Sequence, residues 1–269
     1  MVKVLVVGAA GRMGRTIVSC LSDTAGVEIG GGTEPAGNPM VGKDIGEAAG
    51  IGAKKVLIHD SLEKVFPSCD VAIDFSSLES TMESIHLAAK LGKAIVVGTT
   101  GFSSAQKAEI ARVCKKIRCV MAPNMSIGVN VLLKVVRDMA RILGDAYDIE
   151  IVEAHHKFKK DAPSGTAVRI SEVIASALGR DLDEVAVYGR KGISEGRPSK
   201  EIGIHTLRAG DIVGDHRILF GGMGETLEIS HRAQSRETFA RGSIRAAQWV
   251  VNQPPGLYDM QDVLGLRDK

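Results

Sequence analysis

The chain has 269 residues, 44% apolar and 25% charged, the balance of an ordinary globular protein with room for one large or two modest domains. A formal net charge of +2 gives no global attraction to nucleic acid or to a membrane surface, and aromatic residues at 4% are too few for a base-stacking platform. No apolar run approaches the roughly 20 residues of a membrane span. Met1 leads straight into "VKVLVVG" with no basic leader, so a cytoplasmic location is expected. The four cysteines, Cys20, Cys69, Cys114 and Cys119, form no Cys-x-x-Cys pair and read as reduced, mostly buried thiols.

In chain order, "KVLVV" (3–7) is a short β-branched run suited to a parallel strand buried on both faces, and "GRTIVSCLSD" after it reads as a helix. Further strands are expected at 27–31, 55–58, 70–75 and 94–98, with helices at 79–91 and 104–116; Gly92 stops the first of these. This βαβ rhythm predicts an open, mostly parallel sheet with helices on both faces. After about residue 125 the rhythm changes to a long amphipathic helix over 127–144, a strand over 148–154 and a helix over 165–178 that ends at Gly179. Then "GIHTLRAG", "DIVGDHRILFGG" and "ETLEISHRA" follow as strands with glycine-rich turns, an antiparallel pattern, and helix returns over 236–251. The polar stretch 189–201 is the candidate mobile loop. The expected class is α/β: residues 1–126 with 236–269 form a mostly parallel domain, and 127–235 form an α+β domain with a mixed or antiparallel open sheet.

"VVGAAGRMGR" places Gly8, Gly11 and Gly14 between the first strand and the first helix. Gly8 permits the tight turn, Gly11 lets a pyrophosphate approach the backbone, and Gly14 lets helix and strand pack closely. The helix N-terminus offers unpaired N–H groups to the phosphates. Glu34, about twenty residues on, stands where a carboxylate accepts hydrogen bonds from the adenosine ribose hydroxyls; the alternative is a solvated turn glutamate in "GTEPAG". Dinucleotide binding is therefore expected. Glu34 repels a 2′-phosphate and Pro35 supplies no compensating charge, whereas Arg12 does, so the cofactor is read as NADH and/or NADPH, leaning to NADH.

Three small polar segments follow strands at the carboxyl side of the sheet, "DFSS" (74–77), "GTTG" (98–101) and "APNMSIG" (122–128). They present backbone groups and hydroxyls to a cofactor, or simply cap helices, Ser77 and Ser103 being plausible N-caps; the two roles are compatible. "EAHHKFKKDAPSGTA" (153–167) then delivers His155 and His156 to a strand end, followed by Lys157, Lys159 and Lys160. The amides of Ser164, Gly165 and Thr166, opening a helix, form an anion site suited to a carboxylate or phosphate. A histidine there exchanges a proton near neutral pH, as hydride addition to a C=C–C=N or C=O system requires. The plainer alternative is a solvated basic face with one core and one surface histidine. No cysteine lies nearby and there is no His-Glu-x-x-His pattern, so no metal is expected.

Taken together, "GAAGRMG", "DFS", "GTTG", "APNMSIGVN", "EAHHKFKKDAPSGTA", "LRAGDIVGDH" and "SHRAQSRETFARG" resemble, in this order and nearly end to end, the 4-hydroxy-tetrahydrodipicolinate (dihydrodipicolinate) reductase family. The resemblance implies a Rossmann-like domain plus an α+β domain that binds substrate and assembles a homotetramer. It also implies NADH- or NADPH-dependent reduction of a cyclic dicarboxylate with loss of water, in lysine and diaminopimelate synthesis. Carried over by motif, His155 is the proton donor and Lys159 its partner, both catalytic. His156, Ser164, Gly165 and Thr166 contact substrate carboxylates, with Thr100 beside the nicotinamide. Gly8, Gly11, Arg12, Met13, Gly14, Glu34, Phe75, Gly98, Thr99, Thr100, Ala122, Asn124 and Met125 match cofactor positions, and Arg236 sits near the expected hinge. Three positions depart from the family's habit: Pro35 replaces a basic residue, Phe158 stands for a histidine, and Met125 for an aromatic. Two other classes remain to be weighed. One is a dinucleotide sensor without chemistry. The other is a different dehydrogenase, such as one acting on an amino-acid semialdehyde, which usually wants a cysteine nucleophile.

Overall fold

The computed structural model describes residues 1–193 and 195–267. In chain order the elements are β1 (Val2–Val7), α1 (Arg12–Ser22), β2 (Val27–Thr33), α2 (Ile45–Ala49), β3 (Ile58–His59), α3 (Leu62–Val65), β4 (Val71–Asp74), α4 (Leu78–Leu91), β5 (Ala94–Val97), α5 (Ser104–Val113) and β6 (Arg118–Met121). They continue with α6 (Ile127–Leu143), β7 (Asp148–His155), α7 (Gly165–Ala177), α8 (Leu182–Val185), β8 (Ala186–Tyr188), β9 (Ile202–Arg208), β10 (Gly214–Gly222), β11 (Glu225–Ala233), α9 (Glu237–Val250), β12 (Gly256–Tyr258) and α10 (Met260–Val263). The chain separates into two compact units: Met1–Ile127 with the segment from Arg236 onward, and Gly128–Ser235. Among the described residues no helix is long and apolar enough to cross a membrane, and all four cysteines are buried free thiols.

The first unit is built on a seven-stranded sheet in the order β12-β6-β5-β4-β1-β2-β3, every neighbouring pair parallel. Its apolar runs follow from burial on both faces. Val4 and Val6 of β1 share one core with Ile17 of α1 and Ile244 of α9, while Leu5 and Val7 share the other with Ile85 of α4 and Ile110 of α5. Each such side chain contributes roughly 1.5–3 kcal/mol by burial. Helix α9 approaches closely because residue 242 is glycine; a Cβ there would stand 1.8 Å from the Met125 carbonyl oxygen.

One expected strand of this unit moves. The segment 55–58 pairs in the sheet only from Ile58, as β3, because the chain before it wraps around Asp44. The Asp44 carboxylate accepts from the amides of Gly46 (2.8 Å), Lys54 (3.0 Å) and Val56 (3.2 Å), and Lys55 takes a left-handed φ of 59°. These N–H bonds, that of Lys54 foremost, hold the Asp44 carboxyl below its ordinary pKa.

The second unit carries a five-stranded sheet in the order β11-β10-β7-β9-β8. It is mixed: β10 runs antiparallel to β11 and β7, whereas β7, β9 and β8 are mutually parallel neighbours. The antiparallel pattern expected for the three late strands thus holds for β10 and β11 only. The link from β9 to β10 is not a hairpin, since β7 lies between them. Ile149, Ile151, Ile204 and Ile218 of the sheet close one core with Leu132 and Val136 of α6 and Ile170 and Ile174 of α7.

The stretch 189–201, expected to be a mobile loop, is irregular but tied down at two arginines; Ser194 within it lies outside the described residues. Arg190 reaches Glu150 at 2.7 Å and Arg197 reaches it at 2.9 Å, with His205 on the same carboxylate at 2.7 Å. Burial alone would raise the Glu150 pKa, but these three partners pull it down to about 2.

Candidate functional site

In the first unit the parallel register lines up the carboxyl ends of five strands. Val7 pairs with Thr33 and with Asp74, Asp74 pairs with Val97, and Val97 pairs with Met121. The glycine turn, Glu34, "FSS", "GTTG" and "APNM" therefore leave the sheet at one level, where ligands of open α/β sheets sit. A cavity of about 690 Å³ opens there, with Gly8, Gly11, Glu34 and Phe75 in its wall.

The glycine spacing has a steric cause. Gly8 adopts φ 70°, and a Cβ on Gly14 would stand 2.0 Å from the Gly8 carbonyl oxygen, so only glycine lets α1 begin this close to β1. Gly11 caps α1 without any side-chain bond, which leaves the first-turn amides to a ligand. Glu34 is not a solvated turn residue. Its Oε1 accepts from the Ala10 amide inside the glycine turn at 2.7 Å, and its Oε2 from Asn38 Nδ2 at 2.8 Å. A carboxylate has about four lone-pair sites, so capacity remains for a ribose diol. These residues fit a dinucleotide: a cradle that a Cβ would fill, an uncapped helix start, and a fixed acceptor.

The remaining cofactor positions fall into three groups. Gly98 makes room for Phe75, whose ring would lie 2.2 Å from a Cβ there. Thr99 is held at the end of a buried relay that the sequence reading did not single out: Asp74 accepts from Ser76 Oγ (2.6 Å) and Thr81 Oγ1 (3.0 Å), and Thr81 reaches Thr99 Oγ1 at 2.8 Å. Arg12 and Thr100 are exposed, and Met13 is half-buried. Ala122 and Met125, by contrast, are buried in the core cluster that includes α9, so their side chains do not face the open cavity. Asn124 accepts from the Ser126 amide at 2.9 Å. Ser77 and Ser103 cap α4 and α5, as expected.

In the second unit β7 alternates Ile149, Ile151, Glu153 and His155 on its buried face. The sheet register then assembles polar rungs at one end of an apolar core. Glu153 pairs with Thr206 on β9 and His216 on β10, His216 pairs with His231 on β11, and His155 pairs with Arg208. His155 Nδ1 lies 2.6 Å from Glu153 Oε2, and its ring meets His216 edge-on at 5.3 Å. Arg208 grips both oxygens of Glu153, at 2.9 and 3.0 Å, in a bidentate pair. Burial pushes the His155 pKa down, further than Glu153 pulls it up. Burial would raise the Glu153 pKa, but Arg208, His155 and the Ser164 amide outweigh it and hold the carboxyl ionised. His216, buried, is pushed down to about 4 and is neutral at pH 7.

One expectation for the anion site is corrected. Ser164 is not a free donor: its amide is given to Glu153 at 2.9 Å, and its hydroxyl accepts from Ala167 at 3.1 Å and lies 3.1 Å from His216 Nε2. The helix start itself is open at Gly165, which is exposed with nothing near its absent side chain. Lys159 is three-quarters buried and pairs with Asp161 at 2.9 Å. His156 is half-buried, and Lys157, Phe158 and Lys160 are exposed. Thr100 belongs to the first unit and the other expected substrate contacts to the second; Arg236 is the first residue after the second unit ends. Glu153, Arg208 and His216 were missed as site residues. The legible signal was an acidic residue in the apolar row of a strand. Among the described residues no group of three or more His, Cys, Asp or Glu side chains is arranged to hold a metal ion.

Two family models match the chain, dihydrodipicolinate reductase N-terminus over residues 2–125 and dihydrodipicolinate reductase C-terminus over 128–264. A 4-hydroxy-tetrahydrodipicolinate reductase of Geotalea uraniireducens is 55% identical over 99% of this chain and 100% of its own length, and one of Citrifermentans bemidjiense is 54% identical over the same shares. Among solved structures, a dipicolinate-bound dihydrodipicolinate reductase from Paenisporosarcina sp. TG-14 superposes with a TM-score of 0.76 at 23% identity, covering 97% of this chain and 98% of that one.

Proposed function

The chain belongs to the dihydrodipicolinate reductase family, and from that premise we propose that it reduces 4-hydroxy-tetrahydrodipicolinate to tetrahydrodipicolinate, with loss of water, in lysine and diaminopimelate synthesis. A reduced nicotinamide dinucleotide supplies the hydride. The first unit is the dinucleotide-binding domain: α1 faces the pyrophosphate with its first-turn amides, and Glu34 accepts from the ribose. The second unit is the substrate-binding and oligomerisation domain.

Loss of the 4-hydroxyl with a neighbouring ring hydrogen, as water, gives the substrate a C=C–C=N system, and conjugate addition of hydride to it leaves negative charge that a proton must quench. His155 delivers that proton from Nε2, because Nδ1 is engaged by Glu153. Lys159 adds positive charge beside it and, with the α7 start at Gly165 and Thr166 and with His156, holds a substrate carboxylate. Ser164 acts indirectly, by capping that helix. The observation that carries the reading is the placement of an ion-paired imidazole, a lysine and an open helix start at one end of one sheet.

NADH is the preferred donor on this reading. Glu34, Asp60, Glu63, Glu79 and Glu83 all stand in the cavity wall, an environment that repels a 2′-phosphate, and exposed Arg12, next in the chain to Gly11 of that wall, is the cation that admits NADPH in second place. A homotetramer forms through the second sheet's face opposite α6 and α7, where Leu207 is 53% exposed on β9, level with Ala154 of β7. The four buried thiols support a cytoplasmic location. They also weigh against a semialdehyde dehydrogenase, since all four lie in the first unit and none in the second.

The test is loss of NADH absorbance with substrate generated from pyruvate and aspartate semialdehyde. Turnover with that substrate, absent with the semialdehyde alone, supports the reading; tight NADH binding without turnover returns the chain to the sensor class.

A further inference from the structure

We infer that Glu153, clamped by Arg208, is the positioning residue of this reaction: one buried carboxylate fixes His155 through Nδ1 and fixes the start of α7 through the Ser164 amide. The inference rests on His155 being the proton donor.

Glu153 has no solvent exposure, and five donors reach its two oxygens. His155 Nδ1 (2.6 Å) and Arg208 Nη1 (2.9 Å) meet Oε2, while Arg208 Nη2 (3.0 Å), the Ser164 amide (2.9 Å) and Thr206 Oγ1 (3.2 Å) meet Oε1. A carboxylate offers about four lone-pair sites, so this one is saturated. It only accepts, which requires hydrogen on His155 Nδ1 and leaves Nε2 as the atom that gains and loses a proton. Nε2 lies against Gly214, where a Cβ would stand 3.1 Å away, so the absence of a side chain there keeps the ring's place open.

The clamp extends further. Arg208 also donates to the Asp161 carbonyl at 2.6 Å, and the Asp161 side chain holds Lys159 at 2.9 Å. One chain of contacts thus sets the imidazole, the ammonium and the helix start relative to one another. A buried ion pair serving stability alone needs only Arg208 and Glu153, and has no use for the histidine and the helix on the same two oxygens. Preorganisation of this kind matters because small misplacements of reacting groups cost large factors in rate.

The groups facing His155 are Glu153 on its own strand, Arg208 on β9, His216 on β10, and Lys159 with Asp161 in the following loop. Of these, Glu153 favours the imidazolium and the cations oppose it. In Glu153→Gln, kcat should fall roughly 10²-fold, and the alkaline limb of kcat/KM should move to lower pH, with the dissociation constant for NADH unchanged. Placed in a His155→Gln background, the same change should cost kcat far less than it does in the wild type, since its hold on the proton runs through the histidine, while its hold on the α7 start should still raise KM for the substrate. An unmoved limb, or an additive loss in the double variant, overturns the inference.

If Glu153→Gln does not fold, the wild-type protein labelled with ¹⁵N-histidine decides. Neutral His155 should carry its hydrogen on Nδ1; a hydrogen on Nε2 overturns the inference. A wild-type protein without turnover defeats the functional reading instead, and the tautomer result still judges the clamp.

Discussion

Acidification should weaken the second unit through His216. The residue is 4% exposed, and burial holds its pKa at about 4 against 6.5 for an ordinary histidine. As pH falls through 6.5 the unfolded chain takes up a proton that the folded unit refuses until about 4. The contribution is therefore fully present above 6.5, drains away across that window, and changes no further below it. At about 1.4 kcal/mol for each pH unit, the window is worth about 3 kcal/mol. Urea unfolding of wild type and His216→Gln at about pH 7.5 and about pH 4.5 isolates this group, because every other acid-labile site is common to both proteins. Far-ultraviolet circular dichroism follows the backbone of both units, and the single tryptophan, Trp249, reports the first unit alone, so the transition seen only in the former belongs to the second unit. Between these two pH values wild type should lose about 2.5 kcal/mol more than the variant. Equal losses in the two proteins would refute the reasoning, since His216 would then titrate alike folded and unfolded.

Three further outcomes follow from the geometry. Gly14→Ala places a Cβ 2.0 Å from the Gly8 carbonyl oxygen, a backbone atom that cannot swing aside. The helix start must withdraw, and NADH affinity measured by calorimetry should fall roughly tenfold or more; an unchanged constant contradicts pyrophosphate binding at this turn. Glu34→Ala removes the acceptor held by the Ala10 amide. In steady-state kinetics kcat/KM for NADH should drop about tenfold and that for NADPH much less, and a ratio that stays put contradicts the ribose contact. Gly214→Ala brings a methyl within 3.1 Å of His155 Nε2 and must displace the ring. The expected result is a kcat about tenfold lower with NADH binding intact; an undiminished kcat argues against Nε2 as the delivering atom.

The first unit was largely legible because its signals are local. A β-branched run, three glycines and a helix name a βαβ start without any knowledge of partners, and Val4–Val7 are buried on both sides as such a run demands. What escaped was set by distant contacts. The 55–58 segment reads as a strand until the Asp44 carboxylate, more than ten residues earlier, gathers its amides. β12 is an edge strand of three residues, too brief to show a period, and β6 was marked only by the polar segment 122–128 that follows it. In the second unit the glycine-rich turns were visible but the insertion of β7 between β9 and β10 was not, because strand order leaves no mark on spacing. The site divides the same way. His155, Lys159 and the helix start at Gly165 sit within one contiguous motif, while Arg208 and His216 arrive from other strands by register. Glu153 lay inside that motif, and its place in the row of Ile149 and Ile151 was the available clue.

The proton-transfer role of one histidine is the claim on which the rest depends. Single-turnover measurement of NADH oxidation with freshly generated 4-hydroxy-tetrahydrodipicolinate, comparing wild type with His155→Gln, tests it most directly. The account predicts a chemical step slowed by roughly 10²–10⁴-fold with NADH affinity unaltered. A variant that turns over at the wild-type rate would contradict it.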